Sequence, residues 1–159
     1  MLFRSELHWK KISQTYANSK YFHLYHDYFE KIYKQEWEYL FDFDFETVKQ
    51  VMKWLDIKME IIRESELKIT SASTQRLVDV CKKIGADTYV SGSGGRQYMD
   101  ESIFEKNNLK LIYQDYKHTK YPQKWTDEFI PDLSIVDLLA NLGPDSMKVI
   151  SGELVSENN

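Results

Sequence analysis

Glycine and proline are missing from the first 84 residues: all six glycines stand at or after Gly85, and all three prolines at or after Pro122. These residues are the strongest punctuators of tight turns, and a β-rich region depends on them. The first part of the chain is therefore expected to be helical. Aromatic residues reinforce the asymmetry, with 15 in residues 1–54 and 8 in residues 55–159. Trp9, Ile12 and Tyr16 recur at spacings of 3 and 4, and Phe22, Tyr25, Phe29 and Ile32 at 3, 4 and 3. Phe45, Val48, Met52 and Leu55 form a third stripe, for which Asp44 is the expected N-cap. Each spacing is that of an amphipathic helix with one apolar face.

From Lys58 the pattern changes. Strands are expected near 58–63, 87–91 and 109–115, separated by a helix that Gly85 ends and by a short helix in SIFEKNN. Strands alternating with helices imply βαβ units and a parallel sheet. The fold class is thus α/β, a short parallel sheet of Rossmann-like βαβ units with a helical N-terminal region. Residues 1–56 are the aromatic-rich helical region. Residues 57–159 are the α/β core, with a glycine-rich loop and C-terminal helices, in one compact domain overall. In LSIVDLLANLG, Ile135, Leu138, Leu139 and Leu142 share a face, Gly143 closes the helix and Pro144 can open another.

Composition narrows the function classes. A chain of 159 residues with 42% hydrophobic and 29% charged residues has neither the signature of disorder nor the apolar run of a membrane span. Its formal charge of −4 offers no global field to attract a phosphate backbone, so nucleic acid is not the expected partner. Cys81 is the only cysteine and lies among Leu77, Val78 and Ile84 on an apolar helix face, where a thiol packs as a small hydrophobe. MLFRSELHWKK lacks the apolar core of a signal peptide. A cytoplasmic setting is expected.

The richest stretch chemically is Ser91-Gly92-Ser93-Gly94-Gly95-Arg96, directly after the expected DTYV strand. Open parallel sheets bind ligands at the carboxyl ends of their strands. Glycines there let backbone N–H groups converge on an anion, the serines add hydroxyl donors, and an arginine grips phosphate or carboxylate with a two-pronged contact. The run is neither a P-loop, which needs Gly-Lys-[Ser/Thr], nor GxGxxG, because Gln97 stands where the third glycine would. Tyr98 and Asp100 follow as further ligand-binding candidates, although Asp100 is also suited to cap the next helix. Asp115, His118 and Tyr121 lie at and just after the third expected strand, so in a parallel sheet they would face the same edge as the loop. An imidazole, as at His118, is the side chain most often used for proton transfer. These three are the catalytic candidates. His8, His23 and His26 sit among helical aromatics without a third ligand, so no metal site is expected, and the residues identify no cofactor.

Taken together, QRLVDVCKKIGADTYVSGSGGRQYMDESIFEKNNLKLIYQDYKHTKYPQ and FIPDLSIVDLLANLGPDS resemble the C-terminal half of the WbqC-like family. The resemblance rests on the GAD-TY-SG-GGR-Y-D core and on the spacing of His118, Tyr121 and Gln123. It also rests on the Pro131 to Pro144 segment with Leu133, Ser134, Asp137 and Gly143. It implies a role in making surface polysaccharide, especially O-antigen, with transferase chemistry on a nucleotide-linked sugar. The family's usual opening, of the kind MQPxYFPxxGYF, does not stand in this sequence. That departure gives the alternative reading, a truncated member acting as a non-catalytic binding or assembly module. A homodimer mate or a partner chain would then cover an exposed sheet edge.

Overall fold

A computed structural model describes residues 2–124 and 126–153. The chain divides into two compact units, one formed by residues 1–58 with 118–159, the other by residues 59–117.

In the first unit the aromatic stripes become helices. Helix α1 (Leu2–Tyr16) buries Trp9. The second stripe is divided between a 3-10 turn at Phe22–Leu24 and α2 (His26–Lys34), and its four apolar residues, Phe22, Tyr25, Phe29 and Ile32, are all buried. Helix α3 (Leu40–Trp54) begins earlier than the sequence suggests: Tyr39 is its N-cap, and Asp44 lies inside the helix rather than capping it. Starting there lets Phe43 join the apolar cluster, edge-on to Tyr33 and Trp37. The Tyr25, Tyr28 and Phe29 rings all meet Trp54 edge-on, with centroids 4.7, 5.0 and 5.6 Å away, the offset geometry aromatic pairs prefer.

Two further helices complete this unit, and they are named after those of the second: there α4 (Ser73–Ile84) precedes β1 (Thr88–Ser91), α5 (Glu101–Lys106) and β2 (Lys110–Tyr113). Back in the first unit, α6 (Ile135–Leu142) ends at Gly143 and α7 (Ser146–Ile150) follows a 3-10 turn that begins with Gly143-Pro144. Gly143 has φ of 56° and ψ of −125°, and an added Cβ would sit 2.5 Å from the Tyr21 ring. Only glycine fits both demands.

The second unit is a single βαβ element with a preceding helix. β1 and β2 pair in parallel, Thr88 opposite Lys110 and Ser91 opposite Tyr113, with α5 in the crossover. Gly85, at φ of 73°, closes α4 and lets the Ala86 N–H reach the Cys81 carbonyl at 2.9 Å. Val78, Cys81, Phe104 and Leu109 bury themselves against the sheet face that carries Tyr89, Leu111 and Tyr113. The opposite face carries Val90 and Ile112, which are 62% and 38% exposed. The sheet has two strands, not three. Residues 58–63 join no ladder among the described residues, and Met59, Ile61 and Ile62 are exposed. Apolar residues alone do not make a strand: Ile61 and Ile62 are adjacent, so a strand there would send them to opposite faces. The architecture is mixed helical with a small parallel sheet. No helix among the described residues is long and apolar enough to cross a membrane.

Gly95 gives this arrangement a direct test. A Cβ there would overlap the Ser91 hydroxyl and lie 2.5 Å from Met99 Cε, whereas at Gly94 it would meet open space. Gly95→Ala should cost about 1–3 kcal/mol through overpacking, and Gly94→Ala should be neutral within about 0.5 kcal/mol. Urea denaturation measures both, and equal costs would contradict the packing described.

Candidate functional site

The candidate residues fall into two groups, one in each unit. In the second unit β1 leads from buried Ser91 into the glycine run, which closes as a 3-10 turn over Ser93–Gln97. Gly95 N–H donates to the Gly92 carbonyl at 3.0 Å, and the Tyr98 and Met99 N–H groups both donate to the Gly95 carbonyl. Gly92, Gly94 and Gly95 all keep negative φ, so the run is a turn and not the alternating left- and right-handed nest that often cradles phosphate. Ser91 Oγ donates to the Gly92 carbonyl at 3.0 Å and is spent within the turn.

Arg96 is the chemically open residue of the turn. Its guanidinium carbon stands 4.1 Å from the centroid of the Tyr113 ring, a cation–π contact. Among the described residues it forms no ion pair. The parallel register explains the contact: Tyr113 is the Cα partner of Ser91, so its ring stands beside the segment that follows β1. The Tyr113 hydroxyl donates to Glu101 Oε1 at 2.8 Å, which engages the nearest carboxylate of α5. Burial, then this bond, push the Tyr113 hydroxyl above its ordinary pKa, against the opposing pull of Arg96. Arg76 is a useful contrast. It pairs with Glu64 at 2.6 Å and donates to the Ser71 carbonyl at 3.1 Å, so its charge is committed to holding the chain.

The remaining candidates of this unit have definite places. Asp100 caps α5, its Oδ1 accepting from the Ser102 N–H at 3.0 Å and from the Ser102 hydroxyl at 2.8 Å. Tyr98 is 77% exposed. Asp115 is exposed just past β2. Cys81 is buried, and burial pushes its thiol up in pKa, away from reactivity.

His118 and Tyr121 belong to the first unit. His118 Nε2 lies 2.6 Å from Asp132 Oδ1, and Asp132 holds a left-handed backbone at φ of 59°. Such a pair fixes the orientation of an imidazole. Tyr121 belongs to a network around Asp137, a carboxylate only 4% exposed. The Tyr121 hydroxyl donates to Asp137 Oδ2 at 2.8 Å, and Gln123 Nε2 donates to the same oxygen at 3.1 Å. Asp137 stands in the first turn of α6, after Ser134, whose Oγ accepts from the Val136 N–H. The positive end of the helix dipole favours a negative charge there. Burial, then the neighbouring carboxylate, hold the Tyr16 and Tyr121 hydroxyls well above the ordinary tyrosine range.

Gln123 extends the network outward. Its amide pairs with the backbone of Ile130 in both directions, Nε2 to the carbonyl at 2.9 Å and Oε1 from the N–H at 2.8 Å. The loop between these residues is thereby closed, and a cavity of about 850 Å³ lies beside it, lined by Lys120, Tyr121, Gln123, Thr126, Glu128 and Phe129 among others. Sequence reasoning missed the partnership of Asp137 with Tyr121 and Gln123. The available signal was a carboxylate within IVDLLANL, one residue from the apolar face, which a buried helix tolerates only with partners.

The WbqC-like protein family matches residues 4–149, and the chain belongs to that family. It is 27% identical over 144 residues to an uncharacterized protein of Mycobacterium tuberculosis (strain ATCC 25618 / H37Rv), Rv1507c, an alignment covering 89% of this chain and 62% of that protein. The chain thus spans less than two thirds of this relative's length. No solved structure matches.

The Asp137 network predicts unequal costs. Asp137→Ala leaves buried donors without an acceptor and should lower the unfolding free energy by about 3 kcal/mol, whereas Tyr121→Phe leaves the carboxylate its Gln123 donor and should cost about 1 kcal/mol. Urea denaturation of both variants, followed by tryptophan fluorescence, makes the comparison. Equal costs would show that the carboxylate does not organise the network.

Proposed function

We propose that this WbqC-like chain acts in surface polysaccharide biosynthesis, O-antigen included, by binding an activated sugar through its phosphate or carboxylate group. The observation that carries the reading is Arg96: a guanidinium held on the face of Tyr113, without a carboxylate partner among the described residues, in the turn that follows a parallel strand. Buried or structural arginines are normally neutralised, as Arg76 is by Glu64. A preorganised arginine with free N–H edges is what an anionic ligand needs. The exposed hydroxyl of Ser93, at the start of the same turn, adds a donor of the kind phosphate accepts.

The reaction proposed is transfer of the sugar, in the cytoplasm where nucleotide-linked sugars would be met. His118 is the proposed acid or base, a role supported by the Asp132 contact that orients its ring. Asp115 and Tyr121 were expected beside it. Tyr121 is better suited to holding structure, because its hydroxyl is engaged by Asp137.

Calorimetric titration with a panel of nucleotide sugars tests the reading. Arg96→Ala should weaken binding about ten- to hundredfold, equivalent to losing a charge-assisted hydrogen bond worth about 1.5–3 kcal/mol. Arg76→Ala should lower stability and leave affinity within about twofold. Equal losses of affinity, or binding indifferent to Arg96, would remove the glycine turn from the function.

A second reading, an assembly module, is favoured by the sheet face that carries Val90 and Ile112. Parallel sheets normally have both faces covered, and here one is covered by α4 and α5 while Val90 and Ile112 stand exposed. A second copy of the chain is the proposed cover. Light scattering should then give a mass well above 19.0 kDa at high concentration, reduced toward the monomer by Val90→Glu. A monomer at every concentration would exclude self-association.

A further inference from the structure

Tyr98 is the most exposed tyrosine side chain near the Arg96 turn, and nothing in the packing of its unit requires an aromatic ring there. The chain on both sides of it is pinned. Its own N–H donates to the Gly95 carbonyl at 3.2 Å, the Met99 N–H donates to the same carbonyl at 3.1 Å, and the Asp100 N–H donates to the buried Thr74 hydroxyl at 3.0 Å. The backbone that presents the ring is therefore fixed, while the ring itself is 77% exposed. A ring held in the open by a fixed backbone can receive a flat partner without rearrangement of the chain.

Its neighbours tell what would cover it. Arg96, two residues earlier, rests one face of its guanidinium on Tyr113, and Tyr98 is the C-cap of the same turn, both side chains being exposed. One cluster thus presents a cation that offers N–H donors and an aromatic ring that offers a face. We infer that Tyr98 is a stacking platform for a planar aromatic ring belonging to the same molecule whose phosphate Arg96 holds, and that the moiety gripped by this unit is a nucleoside diphosphate. The inference rests on the anion-binding reading of Arg96 and adds to it the part of the ligand that is recognised. A saturated sugar ring would also lie against a tyrosine, but it lacks the π-face that makes base–aromatic stacking worth about 1–3 kcal/mol. The Tyr98 hydroxyl is not needed for stacking, so phenylalanine should serve equally well.

The experiment is a set of calorimetric titrations of the full chain and of Tyr98→Ala, Tyr98→Phe and Arg96→Ala with uridine diphosphate, adenosine diphosphate, glucose 1-phosphate and inorganic pyrophosphate. Tyr98→Ala should weaken both nucleoside diphosphates about tenfold, the loss expected for one base–aromatic stack, and should leave pyrophosphate and glucose 1-phosphate unchanged. Tyr98→Phe should bind all four as the unaltered chain does. Arg96→Ala should weaken all four ligands. The platform is overturned if Tyr98→Ala leaves the nucleoside diphosphates unaffected, if it weakens pyrophosphate or glucose 1-phosphate to the same degree, or if the nucleoside diphosphates bind the unaltered chain no more tightly than pyrophosphate. Pyrophosphate binding that ignores Arg96→Ala, or no binding of any of the four, would instead strike the anion-binding reading, and the platform would fall with it.

Discussion

The ladder between Thr88–Ser91 and Lys110–Tyr113 is four residues long and stands only because one of its faces is sealed. Two short parallel strands in water have little to hold them together, since a lone pair of strands is marginal even in the more favourable antiparallel arrangement. Phe104 and Val78, essentially without exposure, supply what hydrogen bonding cannot. Burying two such side chains is worth about 3–6 kcal/mol. Everything chemical in this unit follows from that seal. It fixes the register, the register sets Tyr113 opposite Ser91, and Tyr113 gives Arg96 a surface to rest on. Gly95 belongs to the same chain of dependence, because the turn can approach Ser91 and Met99 so closely only where no side chain intervenes.

The first unit solves a different problem. Asp137 is a nearly inaccessible carboxylate, and the donors to it are neutral: the Tyr121 hydroxyl and the Gln123 amide. Burial of a charge is tolerable when hydrogen bonds replace water and a helix terminus supplies a favourable field. The arrangement ties α6 to the loop that Gln123 closes on Ile130. Aromatic packing around Trp54 and Phe29 accounts for the body of this unit, and the Asp137 network accounts for the shape of the loop after His118.

How far the sequence could be read depended on the range of the interaction concerned. Helix α4 was legible because Gly85 acts through its own φ, and the start of α5 because the Asp100 side chain reaches only two residues ahead. The parallel arrangement of the two later strands followed from their alternation with helices. The expected strand at 58–63 was misleading because strand identity requires a partner, which an apolar run cannot announce. Arg96 was visible as a residue. Its partner was not, since Tyr113 lies 17 positions later and only the parallel register brings the two together. Tyr121 and Gln123 were visible as a spacing, but their shared acceptor Asp137 lies in helix α6, and a helical pattern of apolar residues gives no indication of which hydroxyls will meet a buried carboxylate.

The proposed anion site of this WbqC-like chain is the Ser93–Gln97 turn with Arg96. Nuclear magnetic resonance titration of the nitrogen-15-labelled protein with pyrophosphate tests it most directly, because it reports the position of binding and not only its strength. The account predicts saturable shifts concentrated in the backbone amides of residues 93–97 and in the Arg96 side-chain Nε–H, with little change around the Asp137 network. Shifts centred on other residues while the Arg96 signal stays in place, or no saturable shift at all, would contradict it.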